Sequence, residues 1–149
     1  MSSIKTNAMR HLDASSNAFD LDLNGNTTFN TSGLVTATKA NLTVPTRSDI
    51  SGSVTWNLAN NNQNFRLTGN VTAVAAPSNV VAGQTGSIFI EQDTTGGRTI
   101  GGWNSAWKFI GGAAGAPVLS TAGGAVDRLD YVVRSATEIH VVTTLGYAS

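Results

Sequence analysis

From Phe19 onward the chain alternates apolar and polar residues with a period of two. Phe19, Leu21 and Leu23 alternate with Asp20 and Asp22, which places the apolar side chains on one face of an extended segment. Asn24-Gly25 follows, and both residues tolerate the positive φ of a type I′ hairpin turn. Residues 26–30 read as the return strand. Thr31-Ser32-Gly33 then turns the chain into 34–39 and 42–44, closed by Pro45. This strand-rich element has little to bury by itself and needs a partner surface, from its own domain or from another chain.

A second patterned region begins near Ile50. Val54, Trp56 and Leu58 alternate with Thr55 and Asn57, and Asn60-Asn61-Asn62 turns the chain. Phe65 and Leu67 alternate on the next strand, and residues 70–75 continue the pattern to Pro77 and a turn at Asn79. The run 87–92 is more continuously apolar (Ile88, Phe89, Ile90), as a central strand should be. Glycine-rich loops follow at Gly96-Gly97, Gly101-Gly102 and 111–115. Leu129, Tyr131 and Val133 share a face of one closing strand. Ile139 and Val141 share a face of the other, after a turn at 135–137. No stretch carries a helical period. Residues 1–18 are polar, with Ile4, Met9 and Leu12 scattered irregularly. They read as an extended arm, either a free terminus or one that orders on a partner.

The expected fold is all-β: an antiparallel β-sandwich or jelly-roll-like domain over 46–149. Residues 1–45 precede it as an extended N-terminal arm and a small strand-rich oligomerisation or attachment segment.

Composition sharpens this picture. Charged residues make up 12% of the 149, against about 25% in ordinary soluble domains. Thr, Asn, Ser and Gly carry the polarity instead, and they suit pleated surfaces and tight turns. Such a surface costs little to dehydrate, so extensive subunit contact is open to it, as is a plain β domain. The formal net charge is zero and no basic run occurs, which argues against direct nucleic-acid binding. With no cysteine there is neither a disulfide framework nor a Cys-ligated metal. No apolar stretch is long enough to span a bilayer, and residues 1–5 lack a signal-peptide hydrophobic region. Synthesis in the host cytoplasm, without secretion or membrane contact, is therefore expected. The Asn-x-Ser/Thr sequons then reflect Thr-rich composition alone.

Candidate chemistry is sparse. His11 and His140 are far apart, and neither has a partner at ligand spacing. His140 is out of phase with Ile139 and Val141 and should face away from them. Asp127 and Asp130 lie three apart on an extended segment, on opposite faces, so they cannot pair as acid and base. Glu91 and Asp93 could share a face, but no ligand-dense loop surrounds them. Lys108 precedes Gly111-Gly112 rather than following it, unlike a phosphate loop, and no serine sits in a Gly-x-Ser-x-Gly elbow. No catalytic, cofactor-binding or metal-ligating residue is assigned. Trp103, Trp107 and Phe109 remain, either as core or as a platform on which sugar rings stack.

Several short motifs occur in a specific order: Gly69-Asn70-Val71-Thr72, then Gly83-Gln84-Thr85-Gly86 leading into 87–93, then Thr95-Gly96-Gly97-Arg98-Thr99. Trp103, Trp107-Lys108-Phe109, Ala116-Pro117-Val118-Leu119-Ser120-Thr121 and Gly124-Ala125-Val126-Asp127 complete the series. Through them the stretch 50–147 resembles a module of structural proteins in tailed bacterial viruses, found in tail fibres, head fibres and capsid-associated proteins. That module brings no catalytic residues with it. Residues 27–44 look like the Thr/Gly/Asn-rich strand repeats of fibre shafts, which favours an intertwined oligomer. The resemblance implies a non-enzymatic virion protein, a capsid cement (decoration) protein bound as a homotrimer to the major capsid protein on the outer capsid surface. The alternative is a short tail fibre or spike that binds a host-surface glycan, with an unrecognised enzyme as a third reading.

Because residues 1–18 have no apolar period to contribute, deleting them should leave the thermal transition of the remaining chain in place while weakening attachment to particles. Loss of the transition on scanning calorimetry would show that the arm belongs to the core.

Overall fold

The computed structural model describes residues 42–147 together with the paired segments 20–21 and 27–28. The chain divides into two units, Met1–Ala40 and Asn41–Ser149. The expected arm, the Asn24-Gly25 turn and the strand 34–39 lie outside the described residues. In the first unit, β1 (Asp20–Leu21) and β2 (Thr27–Thr28) pair antiparallel, with Asp20 opposite Thr28 and Leu21 opposite Thr27. These pairs are centred on residue 24.

The second unit is built on one six-stranded sheet. Its strands are β3 (Ser48–Val54), β4 (Gln63–Val74), β5 (Thr85–Gln92), β6 (Trp107–Phe109), β7 (Val126–Ser135) and β8 (Glu138–Tyr147). They lie side by side in the order β3-β4-β5-β7-β8-β6. The protein is all-β, as the alternation requires, and β5 sits inside the sheet as its apolar run anticipates. The directions differ from the antiparallel expectation. β3–β4, β4–β5 and β6–β8 are parallel, and only β5–β7 and β7–β8 are antiparallel. Period-two alternation sets which face a side chain takes, and both kinds of ladder satisfy it equally. Direction is decided by where the connections find partners.

Those connections stack on one another. Ile50 pairs with Leu67 and Val54 with Val74, and beyond the end of β3, Asn57 bridges Ser78. Leu58 N–H donates to Ser78 C=O and Ser78 N–H to Trp56 C=O, both at 3.0 Å. On the other side of β4, Phe65 pairs with Ile90, while Val71 and Val74 bridge Ile100 and Trp103. Three successive passes of the chain thus run parallel without a helical crossover. Asn60-Asn61-Asn62 is a corner of this coil, not a hairpin turn. Alternation continues through the corner, so Trp56 and Leu58 are buried although the ladder ends at Val54. Residues 42–44, expected as a strand, carry no strand pairing; Asn62 Nδ2 donates to Leu42 C=O at 3.1 Å instead.

Polar side chains close the corners. Gln63, 8% exposed, donates to the carbonyls of Asn57 and Asn60 at 2.8 and 2.9 Å. Gln92 holds both the carbonyl and the N–H of Arg98, at 2.9 and 2.8 Å. Tyr131 donates its hydroxyl to Asn61 C=O at 2.7 Å, and burial pushes its pKa up to about 12, so it remains a donor at ordinary pH. Gly86 passes directly beneath this corner: a Cβ there would lie 1.7 Å from Asn61 O. Only glycine allows the approach.

The core faces one side of the sheet. Phe65, Leu67, Ile88, Ile90, Leu129, Tyr131, Val133, Ile139 and Val141 point inward from the strands. Trp56, Leu58, Ala106 and Leu119 cover them from the connections. Trp107 is 4% exposed and donates its indole N–H to Ala75 C=O at 3.2 Å. Trp107→Ala should therefore cost roughly 3–5 kcal/mol, the usual loss for a buried large aromatic. An unchanged denaturant midpoint would remove Trp107 from the core.

Candidate functional site

The aromatic residues do not all share one fate. Trp56 is the centre of a cluster, stacked on Phe65 at 5.3 Å and meeting the edges of Trp107 at 5.3 Å and Trp103 at 5.4 Å. Trp103 also meets Phe109 edge-on at 5.0 Å. Trp107 and Phe109 are buried and fill the core, whereas Trp103 is partly exposed. It lines an open groove of about 540 Å³ bounded by 100–105, β6 and 112–118.

Each wall has a local cause. Residues 100–104 are laced to the second half of β4: Gly101 N–H donates to Val71 C=O at 2.8 Å, and Asn104 N–H to Val74 C=O at 2.8 Å. Asn104 Oδ1 then accepts the Ala106 N–H at 3.0 Å, an Asx turn that leads the chain into β6. After β6 a short 3-10 turn, Gly112–Gly115, folds back, and a Cβ on Gly115 would lie 1.7 Å from Ile110 O. The far wall, Ala116 to Val118, is anchored beyond its end by Asp127. This carboxylate is 2% exposed and accepts from Ser120 N–H at 2.8 Å, Ser120 Oγ at 2.7 Å and Gly146 N–H at 2.9 Å. It sits at a register shift in the β7–β8 hairpin.

The other candidate residues are dispersed. Asp130 points to the opposite face from Asp127, as their spacing requires, and accepts from Ser87 Oγ at 2.6 Å. Glu91 pairs with Arg47. Asp93 pairs with Arg98 at 2.8 Å, and that hydrogen bond, together with those from the Gly96 and Thr95 N–H groups, holds its carboxyl below the usual value. His140 lies on the outer sheet face, turned away from buried Ile139 and Val141, with Nε2 3.2 Å from Glu138 Oε1. His11 lies outside the described residues. Lys108 is exposed between Trp107 and Phe109 and lines the groove. The sequence signalled the aromatics, but not that Trp103 would be the partly exposed one of the three. Nor did it mark Asp127 as a buried acceptor, because the donors Ser120 and Gly146 meet it only in the folded chain.

The site is a recess on a rigid β scaffold, with aromatic side chains beneath it and small residues around it. It offers surface for binding, and the module around it is structural. Residues 50–126 match the family described as "Putative phage tail fibre C-terminal domain". This takes in more than half of the 149 residues, and the chain belongs to that family. It is a bacteriophage virion structural protein, and the matched residues include the whole groove lining. No curated protein and no solved structure matches the chain.

Asp127→Ala would leave the half-buried Ser120 N–H and the Gly146 N–H without their acceptor. A loss of roughly 2–3 kcal/mol is expected, with faster amide exchange at both residues. Unaltered exchange at Ser120 would show that the far wall is held by other contacts.

Proposed function

We propose that this chain is a tail-fibre component that presents its Asn41–Ser149 unit to the host-cell surface, assembled as a homotrimer and performing no catalysis. The observation carrying this reading is the tail-fibre family match over the same residues that build the groove. The physics of the role is adhesion. A rigid sheet displays the groove, and several linked copies rebind at high effective concentration, so weak single contacts add up to firm attachment. The trimer rests on the resemblance of residues 27–44 to fibre shafts.

Capsid cement is the second reading, with the major capsid protein as partner on the outer capsid surface. Its support is the outer sheet face, where Val132 and Val142 are 52% and 55% exposed between paired charges. A face of that kind suits lying flat against another protein.

Gold-labelled antibody against the chain, viewed on intact particles, separates the two. Label at the tail is expected. A regular array of label over the head would replace the fibre reading with the cement one. Light scattering of the purified protein should give three times the chain mass; a monomer would remove the trimer.

A further inference from the structure

We infer that the outer face of the six-stranded sheet, centred on Val132 and Val142, is the surface through which copies of this chain pack against one another. This rests on the oligomer of the reading above and assigns its contact surface.

The apolar pattern is the first argument. Along β7 and β8, Leu129, Tyr131, Val133, Ile139 and Val141 point into the core, so Arg128, Asp130, Val132, His140 and Val142 take the outer face. Val132 pairs with His140 and Val142 with Asp130, which makes the two valines diagonal neighbours on adjacent interior strands. Ile110, 79% exposed, borders the same shallow recess of about 460 Å³. In β5 the half-buried Phe89 alternates with inward Ile88 and Ile90 and lies opposite Arg128, on this face too. Exposed branched residues grouped in this way mark a surface that is covered when the protein is at work.

Charge names what covers it. Arg47 pairs with Glu91, Arg66 with Asp49, Arg128 with Asp130 and Arg134 with Glu138, at 2.5–2.9 Å. Lys108 stands in register with His140 on edge strand β6, where its stem leaves the ammonium in water at the rim. A face of one sign would repel its own copy and call for an opposite partner. Here the charges are matched within the face, and the chain as a whole has zero formal net charge, so identical faces meet without repulsion. Ion pairs already formed also enter a contact with their partners in place, which avoids stripping a lone charge of water.

Geometry supplies the third. The sheet edges are poor sites for adding a strand: β3 is broken by register shifts around Gly52, whose φ is 68°, and β6 has three residues. The face is broad by comparison. Five strands about 4.8 Å apart, each about eight residues long at about 3.3 Å per residue, give a flat projection of about 600 Å². Side chains raise the accessible area above that, toward the roughly 800 Å² per partner of a stable interface.

Light scattering of the purified full chain is the first test. Val132→Asp combined with Val142→Asp would set new carboxylates against the neighbouring copy, and the mass should fall to that of one chain. Circular dichroism should not change, since both positions are exposed in a single copy. The second test uses the absence of cysteine from the chain, which makes Val142→Cys a lone thiol. It should react with a maleimide about tenfold more slowly than Val118→Cys, whose side chain is 84% exposed beside the Trp103 groove. An oligomer whose mass survives the double substitution, or a Val142→Cys thiol as reactive as the control, overturns the inference and leaves the oligomer standing. A monomeric parent removes both. A thiol shielded on intact particles but open in the purified protein also overturns it, because a different virion protein then covers the face. Gold labelling judges the tail location independently of each result.

Discussion

Among the described residues of Asn41–Ser149 no second sheet or helix layer faces the six-stranded sheet, so its own connections cover the core face, and Trp56 makes that possible. It lies in a corner between β3 and β4, 1% exposed, and touches aromatics from three other parts of the chain. Large flat side chains cover much area for each residue that must be ordered, so a few of them replace a whole second layer. The cluster also ties the parallel coil to edge strand β6, whose ladder partner is β8. Trp103 and the Trp107 indole bond to Ala75 C=O reinforce that tie.

Parallel stacking brings a second requirement. Backbone groups at the corners leave the ladder but stay near the core, where an unpaired amide is costly. Gln63, Gln92, Asn61 and Asp127 supply the missing partners. Each is a polar side chain serving backbone groups, Asp127 taking the Ser120 hydroxyl as well, so side-chain hydrogen bonds hold the corners. The indole N–H groups of Trp56 and Trp103 are the exception: both are buried with no acceptor among the described residues. Edge-on ring contacts within the cluster put ring faces near at hand, and a π face accepts such a donor weakly.

The groove follows from the same economy. Where residues 100–104 leave β4 to begin β6, the glycines and the 3-10 turn keep side-chain bulk away from Trp103. The same hydrogen bonds that fix the loop to β4 fix the indole, so the recess is preorganised by the fold.

The amino-acid sequence by itself determined the all-β class and the facing of nearly every strand residue, because alternation is a local property read two residues at a time. Ile139 and Val141 inward with His140 outward, Asp127 opposed to Asp130, and β5 as an interior strand all follow from it. The β7–β8 hairpin was also legible, since Ser135 and Glu138 close it across a short turn. Strand direction was not. Asn60-Asn61-Asn62 serves a hairpin and a coil corner equally well, and only the meeting of Asn57 with Ser78 and of Tyr131 with Asn61, distant in sequence, selects the coil. Likewise three aromatics within 103–109 are equivalent as text. Which two are buried and which one is partly exposed was decided by the tertiary structure, because exposure depends on the segments that happen to lie across from each ring.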